Sequence, residues 1–119
     1  MFARIRQSRA EGLTFIPSPL FFHHRAQIAD LAIKHRLPFF AENRLLTEAG
    51  ALLAYDHNLR QMWRQVAMYV DRILRGAKPA DLPVQEPATF DLIINLKTSR
   101  ALGLTIPPSL LQRADQVIE

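Results

Sequence analysis

The sequence predicts an α/β fold in which helices flank a mostly parallel sheet. Short apolar runs alternate along the chain with segments whose apolar residues recur at helical spacing. The short runs are apolar on both faces, as in parallel strands that helices cover on both sides. The chain has 119 residues, of which 49% are hydrophobic and 22% charged, which is typical of one globular domain or part of a larger one.

Residues 1–56 contain a βαβαβ pattern. The predicted strands are residues 13–16, 37–40 and 51–55, and the predicted helices are residues 21–35 and 43–49. Pro17-Ser18-Pro19 ends the first strand, because proline has no N–H to donate to a sheet. Gly50 ends the second helix, since glycine adopts the left-handed conformation that often follows a helix.

The clearest predicted element is an amphipathic helix over residues 58–75, which Asp56 or Asn58 could cap. Its apolar side chains recur every three or four residues and form what we call the apolar stripe: Leu59, Met62, Trp63, Val66, Val70, Ile73 and Leu74. A stripe of this width predicts a covering element. That element is either the core of the same chain or a part of the fold that this chain does not contain.

The remainder of the chain predicts a connector, a strand and two helices. Residues 77–89 contain three prolines and little periodicity, which favours an extended connector. A strand over residues 90–96 is followed by a helix over 97–102 and a last helix over 109–118.

Reactive motifs are absent from the sequence. There is no cysteine, no nucleophile elbow, no phosphate-binding glycine loop and no H-E-x-x-H zinc motif. His23 and His24 are adjacent, and neighbouring residues of a helix point about 100° apart, so we expect solvent-facing or capping histidines and no metal. Glu42, Glu48 and Asp56 have no nucleophile at a telling spacing. We therefore expect no enzyme activity and no cofactor.

The net charge of +4 comes from 15 basic and 11 acidic residues. Most arginines are dispersed, which is typical of solvated helix faces, so nucleic-acid binding is not expected. No apolar run approaches the roughly 20 residues of a membrane span. The basic residues near the amino terminus precede an apolar stretch that Pro17 and Pro19 interrupt, which does not match an export signal.

Polar residues follow three of the predicted strands, at Ser18-Pro19, Glu42-Asn43 and Tyr55-Asp56. Ligands of open parallel sheets bind beyond the carboxyl ends of the strands. A carboxylate, an amide and an aromatic ring there would suit a small polar or amphipathic ligand. The same residues could instead cap the helices that follow, and their spacing does not decide between the two.

Several motifs resemble one family. The sequence has Gly-Ala-Lys-Pro at 76–79, Ile-Asn-Leu-Lys-Thr at 94–98 and Ile-Pro-Pro-Ser-Leu-Leu at 106–111. Shorter matches are Pro-Leu-Phe-Phe at 19–22, Arg-Leu-Pro at 36–38 and Glu-Ala-Gly at 48–50. Together they resemble the ABC-transporter substrate-binding proteins of the tryptophan/tyrosine-uptake-like type. The sequence departs from that pattern at Ala51, where the family has a second glycine, and at Asp56, where it has glycine after tyrosine.

The resemblance implies a bilobed protein of the periplasmic-binding type I fold, of which this chain is the carboxyl-terminal portion and a partial Rossmann-like lobe. Residues 1–56 would belong to the second lobe, 57–76 would be the crossover helix, 77–89 the Pro-rich connector and 90–119 the returning strand with the carboxyl-terminal helices. The chain would cross between lobes near Tyr55-Asp56. The resemblance places five residues at the ligand cleft: Ser18, Pro19, Glu42, Asn43 and Tyr55.

The implied function is non-covalent binding of a small ligand, such as an aromatic amino acid, for an ABC importer and its permease. The family is periplasmic, whereas the lack of an export signal would make a complete product of this sequence cytoplasmic. The alternative is a truncated fragment that acts only as an oligomerising module without a ligand. Without the first lobe, the apolar stripe would be uncovered, so we expect a homodimer. Its interface would contain Leu59, Met62, Trp63, Val66 and Val70.

Overall fold

The computed structural model describes residues 2–14, 16–87 and 89–119. Its helices are α1 (Phe2–Gln7), α2 (Pro19–His23), α3 (Arg25–Lys34), α4 (Arg44–Glu48), α5 (Leu59–Leu74), α6 (Leu96–Leu102) and α7 (Pro108–Leu111). Its strands are β1 (Phe40–Ala41), β2 (Leu53–His57), β3 (Phe90–Asn95) and β4 (Gln116–Ile118). A short 3₁₀ helix spans Pro79–Asp81. The chain divides into two compact units, of which unit 1 contains the residues up to Asp56 and from Asp91 onward, and unit 2 contains His57–Phe90.

The sheet has four strands in the order β1-β2-β3-β4. β1 pairs with β2 in parallel, and so does β3 with β4. β2 and β3 run in opposite directions: Asn95 N at the end of β3 donates to Leu52 O before β2, and Asn58 N after β2 donates to Thr89 O before β3. The predicted α/β class, a mostly parallel sheet flanked by helices, is confirmed.

The core of unit 1 lies between the sheet and the helices of residues 1–56. It is formed by apolar side chains with little or no exposed surface: Leu13, Ile28, Ala32, Phe39, Leu46 and Ala51. Burying a large apolar side chain of this kind contributes about 1.5–3 kcal/mol. Leu46 belongs to α4 and Phe39 immediately precedes β1, so the core holds the helix and the strand that flank residues 42 and 43.

The first predicted strand is wrong in its extent. Of its described residues, only Leu13 joins the sheet, through a parallel bridge to Phe39. The predicted strand would have buried Ile16, whereas the side chain of Ile16 is 85% exposed. Pro17 lacks an amide donor, so the chain has little means of continuing the ladder. Phe15, which also belonged to this prediction, lies outside the described residues.

The helix predicted over residues 21–35 is two helices, α2 and α3. It starts two residues earlier than predicted because Pro19, whose fixed φ suits a helix start, occupies the first turn. His24 separates the two helices with φ −93° and ψ +18°, which is outside the α-helical range. The Arg25 guanidinium supports this junction by donating to Phe22 O at 3.1 Å.

The other predicted elements of unit 1 differ by smaller amounts. The strand expected over 37–40 is β1, at Phe40–Ala41, and the one expected over 51–55 is β2, at Leu53–His57. The helix expected over 43–49 is confirmed as α4, with Asn43 as its N-cap and Gly50 beyond its end at φ +122°. β3 and α6 also agree with prediction, and Gly103 ends α6 in the left-handed conformation.

The last predicted helix, over residues 109–118, is wrong. α7 ends at Leu111, and residues 116–118 form β4 at the edge of the sheet. Asp115 anchors this strand, because its backbone N–H donates to Leu92 O at 2.9 Å and its carboxylate accepts from Leu92 N at 2.7 Å. Val117 and Ile118 are β-branched and favour a strand once a neighbouring strand is available.

Unit 2 consists of α5 and the connector that returns beside it. Asn58 caps α5 by accepting from Gln61 N at 3.0 Å, and Gly76 follows the helix with φ +100°. Tyr69 donates its hydroxyl to Pro83 O, and Thr89 donates to Gln61 Oε1, so the connector is bonded to the helix at two places. The predicted amphipathic helix is confirmed. In the connector predicted over 77–89, Ala88 lies outside the described residues.

Candidate functional site

The candidate site is the edge of the sheet where β1 and β2 end. Phe40 pairs with Leu53 and Ala41 with Ala54, in parallel. Continued one step beyond these pairs, the register corresponds to Glu42 beside Tyr55, and a second step corresponds to Asn43 beside Asp56. Neighbouring strands are about 4.8 Å apart and successive side chains alternate between the two faces, so the first pair and the second pair lie on opposite faces. Three of the five predicted site residues, Glu42, Asn43 and Tyr55, thus lie at the same end of β1 and β2.

Asn43 is the N-cap of α4. Its Oδ1 accepts from Leu46 N at 3.1 Å, which satisfies an amide that a helix start otherwise leaves unpaired. Its Nδ2 donates only a long bond, 3.5 Å, to Glu42 Oε1. The oxygen of Asn43 therefore caps the helix, which is one of the two roles that the sequence left open. Its amide nitrogen can still donate to a closer acceptor than Glu42 Oε1.

Glu42 has an unusual environment for a carboxyl group. Its Oε2 has essentially no accessible surface and has no hydrogen-bond partner among the described residues. A buried acceptor without a donor costs about 1–3 kcal/mol, and more when it is charged. The glutamate side chain as a whole is only half-buried.

Asp56 adds a second carboxylate to the edge. Its Oδ2 accepts from Arg44 N at 3.3 Å, so it supports the start of α4 and is not the cap of α5. The antiparallel register of β2 and β3 places Asp91 directly opposite Asp56. Asp91 is not among the site residues predicted from the sequence, because only the pairing of two distant strands brings it to this edge.

Arg44 is the cationic side chain closest in sequence to this edge. Its Nε donates to Glu48 Oε1 at 2.6 Å, one turn along α4, so the guanidinium is paired within the helix. Glu42 and the Tyr55 ring, which is 63% exposed, thus share one face of this edge, whereas Asp56 and Asp91 share the other face because side chains alternate along a strand. Such a surface is suited to a cationic group attached to an aromatic or apolar body.

A protein-family model described as ABC transporter substrate binding protein matches residues 21–118, which include every residue of this edge. The chain belongs to this family. No curated protein matches the chain.

Solved structures resemble this chain closely in fold. A conserved domain protein from Vibrio cholerae O1 biovar El Tor has a TM-score of 0.85 and 27% identity, over 96% of this chain and 38% of its own. An ABC domain from Streptococcus pneumonia in complex with L-Trp has a TM-score of 0.85 and 25% identity, over 96% of this chain and 39% of its own. A ligand-free, open substrate-binding protein with adhesive properties from Clostridium difficile shares the fold, with a TM-score of 0.68 and 23% identity over 89% and 35%. This chain thus spans less than two-fifths of the first two structures.

The other predicted site residues, Ser18 and Pro19, belong to the segment that enters α2. Ser18 has extended backbone angles and its side chain makes no capping bond, although its backbone oxygen accepts from Phe22 N at 2.9 Å. The parallel bridge at Leu13 directs this segment toward the same edge as β1. No hydrogen bond described for Ser18 joins it to Glu42 or Tyr55.

The two departures from the family pattern do not strain the backbone of this family member. In the described residues, positive φ outside glycine occurs at Arg9 and Arg36, and thus at neither Ala51 nor Asp56. Ala51 is fully buried and contributes its methyl group to the core. The side chains at these positions are therefore compatible with the fold and leave the edge of the sheet intact.

The histidine pair has a structural explanation. The rings of His23 and His24 meet edge to face with centroids 5.1 Å apart at the junction of α2 and α3. Among the described residues, no group of three or more histidine, cysteine or acidic side chains could hold a metal ion. Across the same residues, no helix has both the length and the apolar character needed to cross a membrane.

Proposed function

We propose that this chain provides one part of the ligand site in the solute-binding component of an ABC importer. The ligand is a small molecule, bound non-covalently, and an aromatic amino acid is the class we favour. The observation that carries the proposal is the match of residues 21–118 to the substrate-binding family, together with a neighbour of the same fold that was solved with L-Trp. Both favour solute binding over an oligomerising module without a ligand.

Each proposed ligand residue has a role that follows from its chemistry. The Glu42 carboxylate accepts from an amino group, and the exposed Tyr55 ring forms an aromatic wall against the side chain of the ligand. The Asn43 amide nitrogen, which makes only a 3.5 Å contact in the free chain, donates to a ligand oxygen. Ser18 and Pro19 complete the site from the segment that enters α2.

The whole protein would deliver its ligand to an ABC permease, and we propose a periplasmic location in keeping with the family. The boundary between units 1 and 2 at Asp56–His57 and Phe90–Asp91 would be where the chain crosses between lobes. These statements concern the whole protein, because the chain spans 38% and 39% of the two most similar solved structures described above.

The direct test is isothermal titration calorimetry with a panel of amino acids. We expect heat with at least one aromatic amino acid. The chain has two tyrosines, which supply a matched pair of variants. Tyr55→Ala should weaken binding by about tenfold or more, since stacking on a ring contributes about 0.5–1.5 kcal/mol beyond the lost area. Tyr69→Ala, in unit 2, should leave the affinity unchanged. Absence of heat with every amino acid would reject this ligand class.

For the chain by itself, we also propose a homodimer through the apolar stripe. All residues of α5 are described and none is buried; Trp63 is 65% exposed, and Leu59, Val66 and Val70 are exposed as well. Met62, the remaining residue of the proposed interface, is half-buried. Leaving such side chains in water costs about 1.5–3 kcal/mol each relative to full burial. A second copy would cover them symmetrically.

Light scattering at micromolar concentration tests this assembly. We expect a dimer for the wild-type chain and loss of the dimer, by unfolding or aggregation, for Trp63→Glu combined with Val66→Glu. The control is Arg64→Glu, which changes an exposed charge on the polar side of the same helix. A stable, cooperatively folding wild-type monomer would contradict the proposed dimer.

A further inference from the structure

A third side chain lies in line with Glu42 and Tyr55 at the end of the sheet. The hydrogen bonds that join the antiparallel strands β2 and β3 place Leu92 directly opposite Tyr55. These two residues form a non-hydrogen-bonded pair, in which the Cα atoms are about 4.5 Å apart and the side chains approach closely. The register of β1 and β2 continues to Glu42 on the other side of Tyr55. The three residues, all in unit 1, therefore form a row across β1, β2 and β3 on one face of the edge.

The row is polar at one end and apolar at the other. Glu42 Oε2 has no hydrogen-bond partner among the described residues, the Tyr55 ring is 63% exposed, and Leu92 is half-buried. The first and third positions are two strand spacings apart, roughly 10 Å. A ligand that lies along the row with its amine at Glu42 places its side chain over Tyr55 and Leu92. An aromatic side chain is long enough to reach the third position, whereas a methyl side chain is not.

The backbone of Leu92 is fixed on both sides. β3 is an interior strand of the sheet, between β2 and β4. On the β4 side, Leu92 O accepts from Asp115 N at 2.9 Å and Leu92 N donates to the Asp115 carboxylate at 2.7 Å. A side chain on such an element keeps a constant position, which a residue that selects among ligands requires.

The next row on the same face continues the apolar surface. It contains Phe40, Leu53 and Ile94, of which Ile94 is fully buried. The opposite face of the edge carries Asp56 and Asp91 instead. The apolar body of a ligand therefore finds a matching surface on the face that carries Glu42 and gains free energy from the area that it buries there.

We propose that Leu92 is a further ligand-contacting residue of this site and that the ring of the ligand packs against both Tyr55 and Leu92. The inference rests on the proposed function and adds a specificity residue to the same site. Leu92 favours ligands whose apolar side chain extends from β1 to β3. Residues 42, 55 and 92 then contact the amine, the near part of the ring and its far part, in that order.

Nuclear Overhauser effects measure this contact directly. The leucine methyl groups of the chain are labelled with ¹³C, and L-tryptophan is added. Leu92→Met, which conserves the side-chain volume, assigns the Leu92 methyl signals by their loss. We expect cross-peaks between the indole protons and the Leu92 methyl groups. We expect none to the methyl groups of Leu104, which follows α6 at the other end of β3.

The matched affinity variants are Leu92→Ala and Leu104→Ala, measured by isothermal titration calorimetry with L-tryptophan. Leu92→Ala should weaken binding by about tenfold, because it removes most of the apolar area that the ring covers. Leu104→Ala makes the same chemical change at a side chain that is 41% exposed, away from the row, and should leave the affinity unchanged. Leu92→Met should retain the affinity within about threefold.

Absence of cross-peaks from Leu92 to bound L-tryptophan would overturn the inference and leave the solute-binding function intact. Unchanged affinity in Leu92→Ala, or equal losses in the two alanine variants, would do the same. If Leu92→Ala does not fold, the cross-peaks of the wild-type chain decide. If L-tryptophan, L-phenylalanine and L-tyrosine give neither heat nor cross-peaks, the proposed ligand class is rejected, and the inference with it.

Discussion

Replacing Asn95 with alanine should destabilise unit 1 more than the loss of an ordinary helix cap. Asn95 is only 3% exposed. Its Oδ1 accepts from Thr98 N at 3.0 Å and so caps α6, and its Nδ2 donates to Thr47 O at 2.8 Å at the end of α4. One side chain thus connects β3, α6 and α4, the helix that begins at the candidate site.

The expected cost follows from what each bond leaves behind. Without Oδ1, the buried Thr98 amide has no side-chain cap, which costs about 1–3 kcal/mol. Without Nδ2, Thr47 O still accepts from Gly50 N at 3.1 Å, so the second loss is about 1 kcal/mol. The total is about 2–4 kcal/mol, a large share of the roughly 5–15 kcal/mol that stabilises a domain.

The control is Asn43→Ala, which removes the cap of α4 where water can replace it and should cost about 1 kcal/mol. Urea unfolding followed by far-ultraviolet circular dichroism measures both variants. We expect the Asn95→Ala midpoint to fall by about 1–3 M and the Asn43→Ala midpoint by less than 1 M. If the two variants lose the same free energy of unfolding, the buried hydrogen bonds that connect α6 to α4 contribute no more than an ordinary helix cap.

Two further substitutions address the turn after α4 and the edge strand. Gly50→Ala should lower the free energy of unfolding by at least about 1–2 kcal/mol, because φ is +122° and the new Cβ would lie 3.0 Å from Ala29 Cβ. Gly76→Ala, at φ +100° with nothing within 4 Å of the new Cβ, should lower it less. Equal unfolding midpoints for the two variants would refute the contribution of the contact with Ala29. Asp115→Ala should lower the hydrogen-exchange protection of the Leu92 amide, which donates to the Asp115 carboxylate at 2.7 Å. Asp115→Asn should retain most of this protection, because the amide oxygen of asparagine can also accept. Protection that is unchanged in Asp115→Ala would contradict the anchoring role of Asp115.

Local sequence determined the elements whose signals lie within a few residues. Asn43, Asn58 and Asn95 each accept from the amide three residues later, and Gly103 ends α6 in the left-handed conformation, so the bounds of α4, α5 and α6 were readable to within about two residues, whereas α1 and the division between α2 and α3 were not predicted. Local sequence also placed Glu42, Asn43 and Tyr55 near the carboxyl ends of their strands, where ligands of parallel sheets bind, and their contact with a ligand stays a prediction.

Tertiary structure decided what depends on pairing between distant segments. Val117 and Ile118 form a strand because Asp115 bonds to Leu92, more than 20 residues away, and no helical periodicity reveals that partner. Asp91 reaches the candidate site because β3 runs antiparallel to β2, which places it opposite Asp56. Asn43 serves chiefly as a cap, while Glu42 keeps an unpaired oxygen, and only the three-dimensional arrangement of donors separates those two neighbours. Hydrogen bonding over long sequence separations is the physical reason in the first two cases, since its partners are set by the fold and not by the neighbouring residues.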